Sequence, residues 1–224
     1  MDLFLTSVSN GVSSIDYLKK NINEKTKLII MPLAHHFDYI SCGEDVYRHY
    51  DRYSNNDSIY WRTVRPFIDI GINPNNIVVI NVYKDPRKLI EQRLIADNTI
   101  VYFPGGFPEN IVKTLKDFKL TKIVKQCKLV VGESAGSMFW FKKYFVYPDN
   151  DYKKYRSYTG IKMIHGFTVI PHYSEENKKS ILNSAKKFKR KHRERVYLIK
   201  DGGWIWYNSE TDRIILTKDC IIYK

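Results

Sequence analysis

A mostly parallel β-sheet covered by helices on both faces, a three-layer α/β sandwich, is the fold class that this sequence predicts. Short continuous apolar runs alternate with stretches of helical periodicity from Leu3 to Val131, the pattern of strands buried on both faces and joined by crossover helices. Two of those runs end in glycine-rich turns, Gly105-Gly106 and Gly132 to Gly136, as strands do at the ligand-bearing edge of such a sheet. Beyond residue 195 the spacing changes to short strand-like segments joined by tight turns, which predicts an antiparallel C-terminal extension.

The elements follow in order. Leu3 to Leu5 suits a first strand, and Val12, Ile15, Leu18 and Ile22 fall at helical spacing. Leu28 to Met31 is an apolar run stopped by Pro32, and residues 41–57 read as polar and irregular. Ile59 to Ile70 predicts an amphipathic helix interrupted at Pro66 and closed by Gly71. Ile77 to Val82 suits a strand, and Asp85-Pro86 opens a helix with the aspartate as N-cap and the proline at N1. Thr99 to Phe103 is the next strand, Ile111 to Phe118 the next helix, and Leu129 to Val131 the strand entering the second glycine-rich turn. After Phe167 to Ile170, the final strands are Val196 to Ile199, Trp204 to Tyr207, Arg213 to Leu216 and Cys220 to Tyr223.

No linker or repeat breaks the series, so residues 1–224 are expected to form one domain with a sizeable core. The net charge is 37 − 24 = +13, mostly dispersed. Its dense cluster, Lys186 to Arg193, lies in a segment of helical spacing, so a solvated helix face is expected there and not a nucleic-acid contact. Cys42, Cys127 and Cys220 lack CxxC spacing and suggest neither a disulfide framework nor a zinc site. His35, His36 and Asp38 follow a strand but have no HxH or HExxH spacing, so no metal and no cofactor are expected. The residues from Met1 to Thr6 carry an acid where a signal peptide has basic residues, and no apolar run is long enough to span a bilayer. A cytoplasmic location and no membrane partner are therefore expected.

The chemistry centres on Gly132-Glu133-Ser134-Ala135-Gly136, where an apolar strand turns into a helix-compatible run. That is the layout of a nucleophile elbow, in which the glycines let backbone pass close beside an exposed serine. A serine hydroxyl is a weak nucleophile near neutral pH and needs a base, an orienting carboxylate and an oxyanion hole. Of the downstream histidines, His172 ends an apolar strand at Pro171, whereas His165 precedes that strand and His192 sits in the basic cluster. Asp149 and Asp151 lie between elbow and histidine as candidate acids. The N–H of Ala135 and one from the Gly105-Gly106 turn can form the oxyanion hole.

Three motifs carry a family resemblance: Tyr102-Phe103-Pro104-Gly105-Gly106, the GxSAG elbow at 132–136, and Ile170-Pro171-His172-Tyr173. With them the chain resembles the dipeptidase E and cyanophycinase family of serine peptidases, which has a class I glutamine amidotransferase-like fold. Lys200-Asp201-Gly202-Gly203-Trp204 is similar to a family turn before the last strands. The resemblance implies Ser134 as nucleophile, His172 as general base, and Gly106 and Ala135 as oxyanion donors. It favours Asp149, 149 − 134 = 15 residues after the serine, as the acid, with Asp151 as the alternative. The family's substrate-binding arginine has no counterpart after His172, where the first basic residues are Lys178 and Lys179.

The function expected is hydrolysis of short peptides by a serine dipeptidase-like enzyme through an acyl-enzyme, with a small peptide as partner and a homodimer left open. An esterase using the same residues, and a catalytically silent protein with a basic binding surface, are the alternatives.

Overall fold

The computed structural model describes residues 1–35, 42–53 and 58–223, with only the backbone of Ser9 and Asn10. Its strands are β1 (Asp2–Thr6), β2 (Lys27–Ile30), β3 (Ile77–Val79), β4 (Thr99–Phe103), β5 (Leu129–Glu133), β6 (Tyr144–Val146), β7 (Arg156–Tyr158), β8 (Phe167–Ile170), β9 (Arg195–Ile199), β10 (Trp204–Asn208), β11 (Arg213–Leu216) and β12 (Cys220–Tyr223). The α-helices are α1 (Asp16–Asn21), α2 (Gly43–His49), α3 (Ile59–Asp69), α4 (Arg87–Ile95), α5 (Pro108–Asp117), α6 (Thr121–Val124), α7 (Ala135–Met138) and α8 (Lys178–His192).

The main sheet has the order β11-β10-β1-β5-β4-β2-β3. Its five strands from β1 to β3 are parallel, and β10 and β11 extend it antiparallel beside β1. Alternation along each strand divides the core between the two faces. Leu3 and Leu5, Ile29, Val101 and Phe103, and Val130 enter one apolar cluster with α4, α5 and α8. Phe4, Leu28 and Ile30, Ile100 and Tyr102, and Val131 enter the other with α1 and α3. Burial on both faces is why these strands read as unbroken apolar runs. A smaller sheet, β12-β9-β8, pairs β8 with β9 in parallel and adds β12 antiparallel, and β6 and β7 form a separate antiparallel pair.

Several boundaries differ from the sequence reading. The stretch expected to be irregular contains α2, whose one large buried side chain is Val46, too little to show as periodicity. Helix α3 runs through Pro66, because Pro66 itself packs in the buried face with Val64 and Phe67; tertiary burial there offsets the lost backbone hydrogen bond. Helix α4 begins at Arg87 with Pro86 at the N-cap, since the Asp85 carboxylate turns back to accept from Asn81 N–H at 3.0 Å. No helix among the described residues is long and apolar enough to cross a membrane.

Candidate active site

The carboxyl ends of parallel strands β1, β4, β5, β8 and β9 lead into Ser7, Gly106, Ser134, His172 and Asp201 respectively. Ser134 takes φ 50° and ψ −114°, a left-handed conformation that a non-glycine residue adopts only when its surroundings enforce it. Those surroundings are explicit. A Cβ at Gly132 would collide with the Gly136 carbonyl, and one at Gly136 with the Phe103 carbonyl, so the turn closes only with glycine at both positions. Thr6 O accepts from Ser134 N–H at 3.0 Å and from the Ser137 hydroxyl at 2.8 Å. Trp140 Nε1 donates to Gly136 O at 2.8 Å.

His172 meets this serine directly: its Nε2 lies 2.8 Å from Ser134 Oγ. Its backbone is also left-handed, at φ 58°. The conformation is held from both sides, by the His172 N–H on Ser7 Oγ at 2.7 Å and by Asn177 Nδ2 donating to His172 O at 2.5 Å.

On the far side of the ring, Nδ1 lies 3.1 Å from Asp201 Oδ1. This departs from the expectation for the acid. The Asp149 carboxylate instead accepts from the N–H groups of Asp151 and Tyr152, at 2.9 and 2.8 Å, and so closes its own turn. Asp149 and Asp151 line the cavity beside Ser134 without meeting the imidazole. In the sequence Asp201 reads only as a turn former before the last strands. The signal that could have found it is parallel pairing of β8 and β9, which carries the residues after Ile170 and Ile199 to one edge.

The two oxyanion candidates flank Ser134. Ala135 is the first residue of α7, so its N–H has no acceptor within the helix. Gly106, at φ 132°, sits so tightly on Ala34 that a Cβ would overlap the Ala34 carbonyl. That carbonyl accepts from Phe107 N–H at 2.5 Å, fixing the turn, while the Gly106 N–H has no hydrogen-bond partner among the described residues. Gly105 packs on Ser134, with room for a Cβ only at 3.2 Å from the serine Cβ.

The cavity over Ser134 measures about 180 Å³ and is walled by Gly106, Pro108, Met138, Tyr147, Tyr152 and Pro171. Burial raises the Tyr147 phenol to about 12 and raises Tyr152 further, with Glu109 adding to the latter, so both remain protonated donors. Glu133 turns away from the cavity and accepts the buried Tyr102 hydroxyl. Lys178, the first basic residue after His172, pairs at the surface with Glu175 at 3.0 Å.

Of the other candidates, His165 is exposed on the segment before β8. His192 ends α8 with its ring 4.7 Å from that of Phe188. His35 is half-buried against Tyr50, its Nε2 2.6 Å from the hydroxyl, and His36 and Asp38 lie outside the described residues. Among the described residues no group of three or more His, Cys, Asp or Glu side chains is arranged to hold a metal ion.

The family model described as Peptidase family S51 matches residues 52–215. Among solved structures, a candidate peptidase E protein from Listeria monocytogenes EGD-e superposes with a TM-score of 0.61 at 17% identity, covering 100% of this chain and 98% of that one. A peptidase from an acI-B1 Actinobacterium gives a TM-score of 0.59 at 17% identity, covering 99% and 96%. At that identity the likeness establishes the shared fold. No curated protein matches the sequence.

Proposed function

The chain belongs to peptidase family S51, a family of serine peptidases, and from that premise we propose that it hydrolyses short peptides with Ser134 as nucleophile, His172 as base and Asp201 as the carboxylate orienting the base. The observation that carries this reading is the 2.8 Å contact between Ser134 Oγ and His172 Nε2 at a serine held at positive φ.

With Nε2 accepting the serine proton, Nδ1 carries the ring hydrogen and donates to Asp201, which selects the productive tautomer. Ser134 Oγ attacks the scissile carbonyl as His172 takes its proton. The negative oxygen that forms is received by the N–H groups of Gly106 and Ala135. Collapse expels the amine, which takes the proton back from His172 and leaves an ester on Ser134. Water, deprotonated by the same imidazole, then releases the acid. The cavity is smaller than the roughly 300 Å³ at the lower end of small-molecule sites, which supports a substrate of one or two residues beside the scissile bond.

A panel of di- to pentapeptides and matched esters, assayed with the parent and Ser134→Ala, tests the reading. Turnover of short peptides is expected in the parent and loss of all turnover in the variant, with the thermal unfolding midpoint retained. Full activity in Ser134→Ala would end the proposal, and turnover of esters alone would replace the peptidase by an esterase.

A further inference from the structure

We infer that Ser7 is the positioning residue of this site: its hydroxyl locks Asp201 and the strained His172 backbone into one arrangement. The inference rests on the proposed roles of Ser134, His172 and Asp201.

Ser7 is fully buried, whereas the side chains of His172 and Asp201 are 40% and 65% exposed. An ion pair or hydrogen bond that open to water holds its geometry poorly, because both side chains have competing solvated rotamers. Ser7 removes that freedom. Its hydroxyl donates to Asp201 Oδ1 at 2.6 Å, so its one hydrogen is committed. Its lone pairs therefore accept from the His172 N–H at 2.7 Å and lie 3.3 Å from the ring Nδ1, whose one hydrogen is shared with Asp201. A single buried oxygen thus touches the carboxylate, the imidazole and the backbone of the base. Among the described residues, Ser7 and His172 are the only side chains that hydrogen-bond the Asp201 carboxylate.

The position of Ser7 in the fold supports this role. It directly follows Thr6, whose carbonyl receives Ser134 N–H and the Ser137 hydroxyl. Adjacent residues at the end of β1 therefore hold the nucleophile and its base, and the spacing between the two is set by one peptide unit in the middle of the sheet. The Ser7 N–H also donates to Gly203 O at 3.4 Å, tying the turn that bears Asp201 to the same strand.

Acylation of Ser134 by a fluorophosphonate, measured as a maximal rate and a half-saturating concentration, reads this without a known substrate. The parent, Ser7→Ala, Asp201→Ala, the double variant and Ser134→Ala are compared, with thermal unfolding as a folding control. Ser7→Ala is expected to lower the maximal rate by about 10- to 100-fold, the scale of an ångström-sized misplacement. The half-saturating concentration should stay within about twofold, and the double variant should react no more slowly than Asp201→Ala, because the two residues act as one unit. Ser7→Thr, which keeps the hydroxyl, should recover most of the rate if it folds. An unchanged rate in folded Ser7→Ala, or losses that multiply in the double variant, would overturn the inference. Labelling of Ser134→Ala at the parent rate would instead overturn the proposed nucleophile.

Discussion

In the proposed triad, Asp201 lies 3.1 Å from His172 Nδ1 and contributes geometry more than energy. An exposed His–Asp pair is worth at most about 1 kcal/mol, and with 65% of the Asp201 side chain in contact with solvent its value lies in fixing which imidazole nitrogen faces Ser134. Asp201→Asn is therefore expected to slow fluorophosphonate acylation by about 10²- to 10⁴-fold, since an amide can donate to Nδ1 and favour the wrong tautomer. Asp149→Asn keeps the oxygen that closes its own turn and should slow acylation less than about tenfold, acting mainly on the KM of peptides that fill the cavity. Equal losses in the two variants would remove the distinction. Ser134, His172, Gly106 and Ala135 were legible in the sequence because each lies within a short motif. Asp149 is the acid that the resemblance favours because it lies near the serine in sequence, while Asp201 reads as a turn beside two glycines and shows itself only where β8 and β9 pair.

The elbow between β5 and α7 is the element on which the site depends, and its tolerance is set by backbone contact. Gly136→Ala places a Cβ against the Phe103 carbonyl, inside the central sheet where neither partner can retreat. Overpacking of this kind costs about 1–3 kcal/mol, a fall in thermal midpoint of roughly 2–12 °C for a chain of this size. Gly166→Ala is the comparison. Its Cβ would meet nothing within 4 Å, so only the positive φ of 81° opposes alanine, at about 1 kcal/mol. Differential scanning calorimetry should show the larger loss at Gly136, together with lost acylation; the reverse order would mean that the elbow relaxes. Elements with broad apolar runs, such as β4 and β5, were readable from the sequence. Helix α2 was not, because its packing rests on little more than Val46, and the continuity of α3 was not, because what Pro66 buries depends on the opposite layer.

On the scale of the molecule, Ser134, His172 and Asp201 each follow a different strand, so the site depends on how the main sheet and the smaller β12-β9-β8 sheet meet. Half-buried His35, beyond β2 of the main sheet, makes the stability of the molecule depend on pH. Burial lowers the His35 imidazole from its usual 6.5 to about 4, with His49 adding a smaller push in the same direction. Between those values the unfolded chain binds more protons than the folded one. Stability is therefore intact above about pH 6.5 and falls as pH drops toward 4, by about 3 kcal/mol at most from this group. Urea unfolding of the parent and His35→Gln across that range should show a steeper loss in the parent; parallel curves would mean that His35 does not report this burial.

The parallel α/β layering and the elbow follow from local patterns of residues. Both arise from local rules, the two-sided burial of each strand and the steric demands of a turn closed by Gly132 and Gly136. Which carboxylate meets His172, and what holds it there, depends on contacts between segments far apart in the chain. Ser7 lies 165 residues from His172 and 194 from Asp201, and the bonds between them are directional and no longer than 3.3 Å. Contacts of that range are set by the register of β1, β8 and β9, which no local pattern of residues encodes.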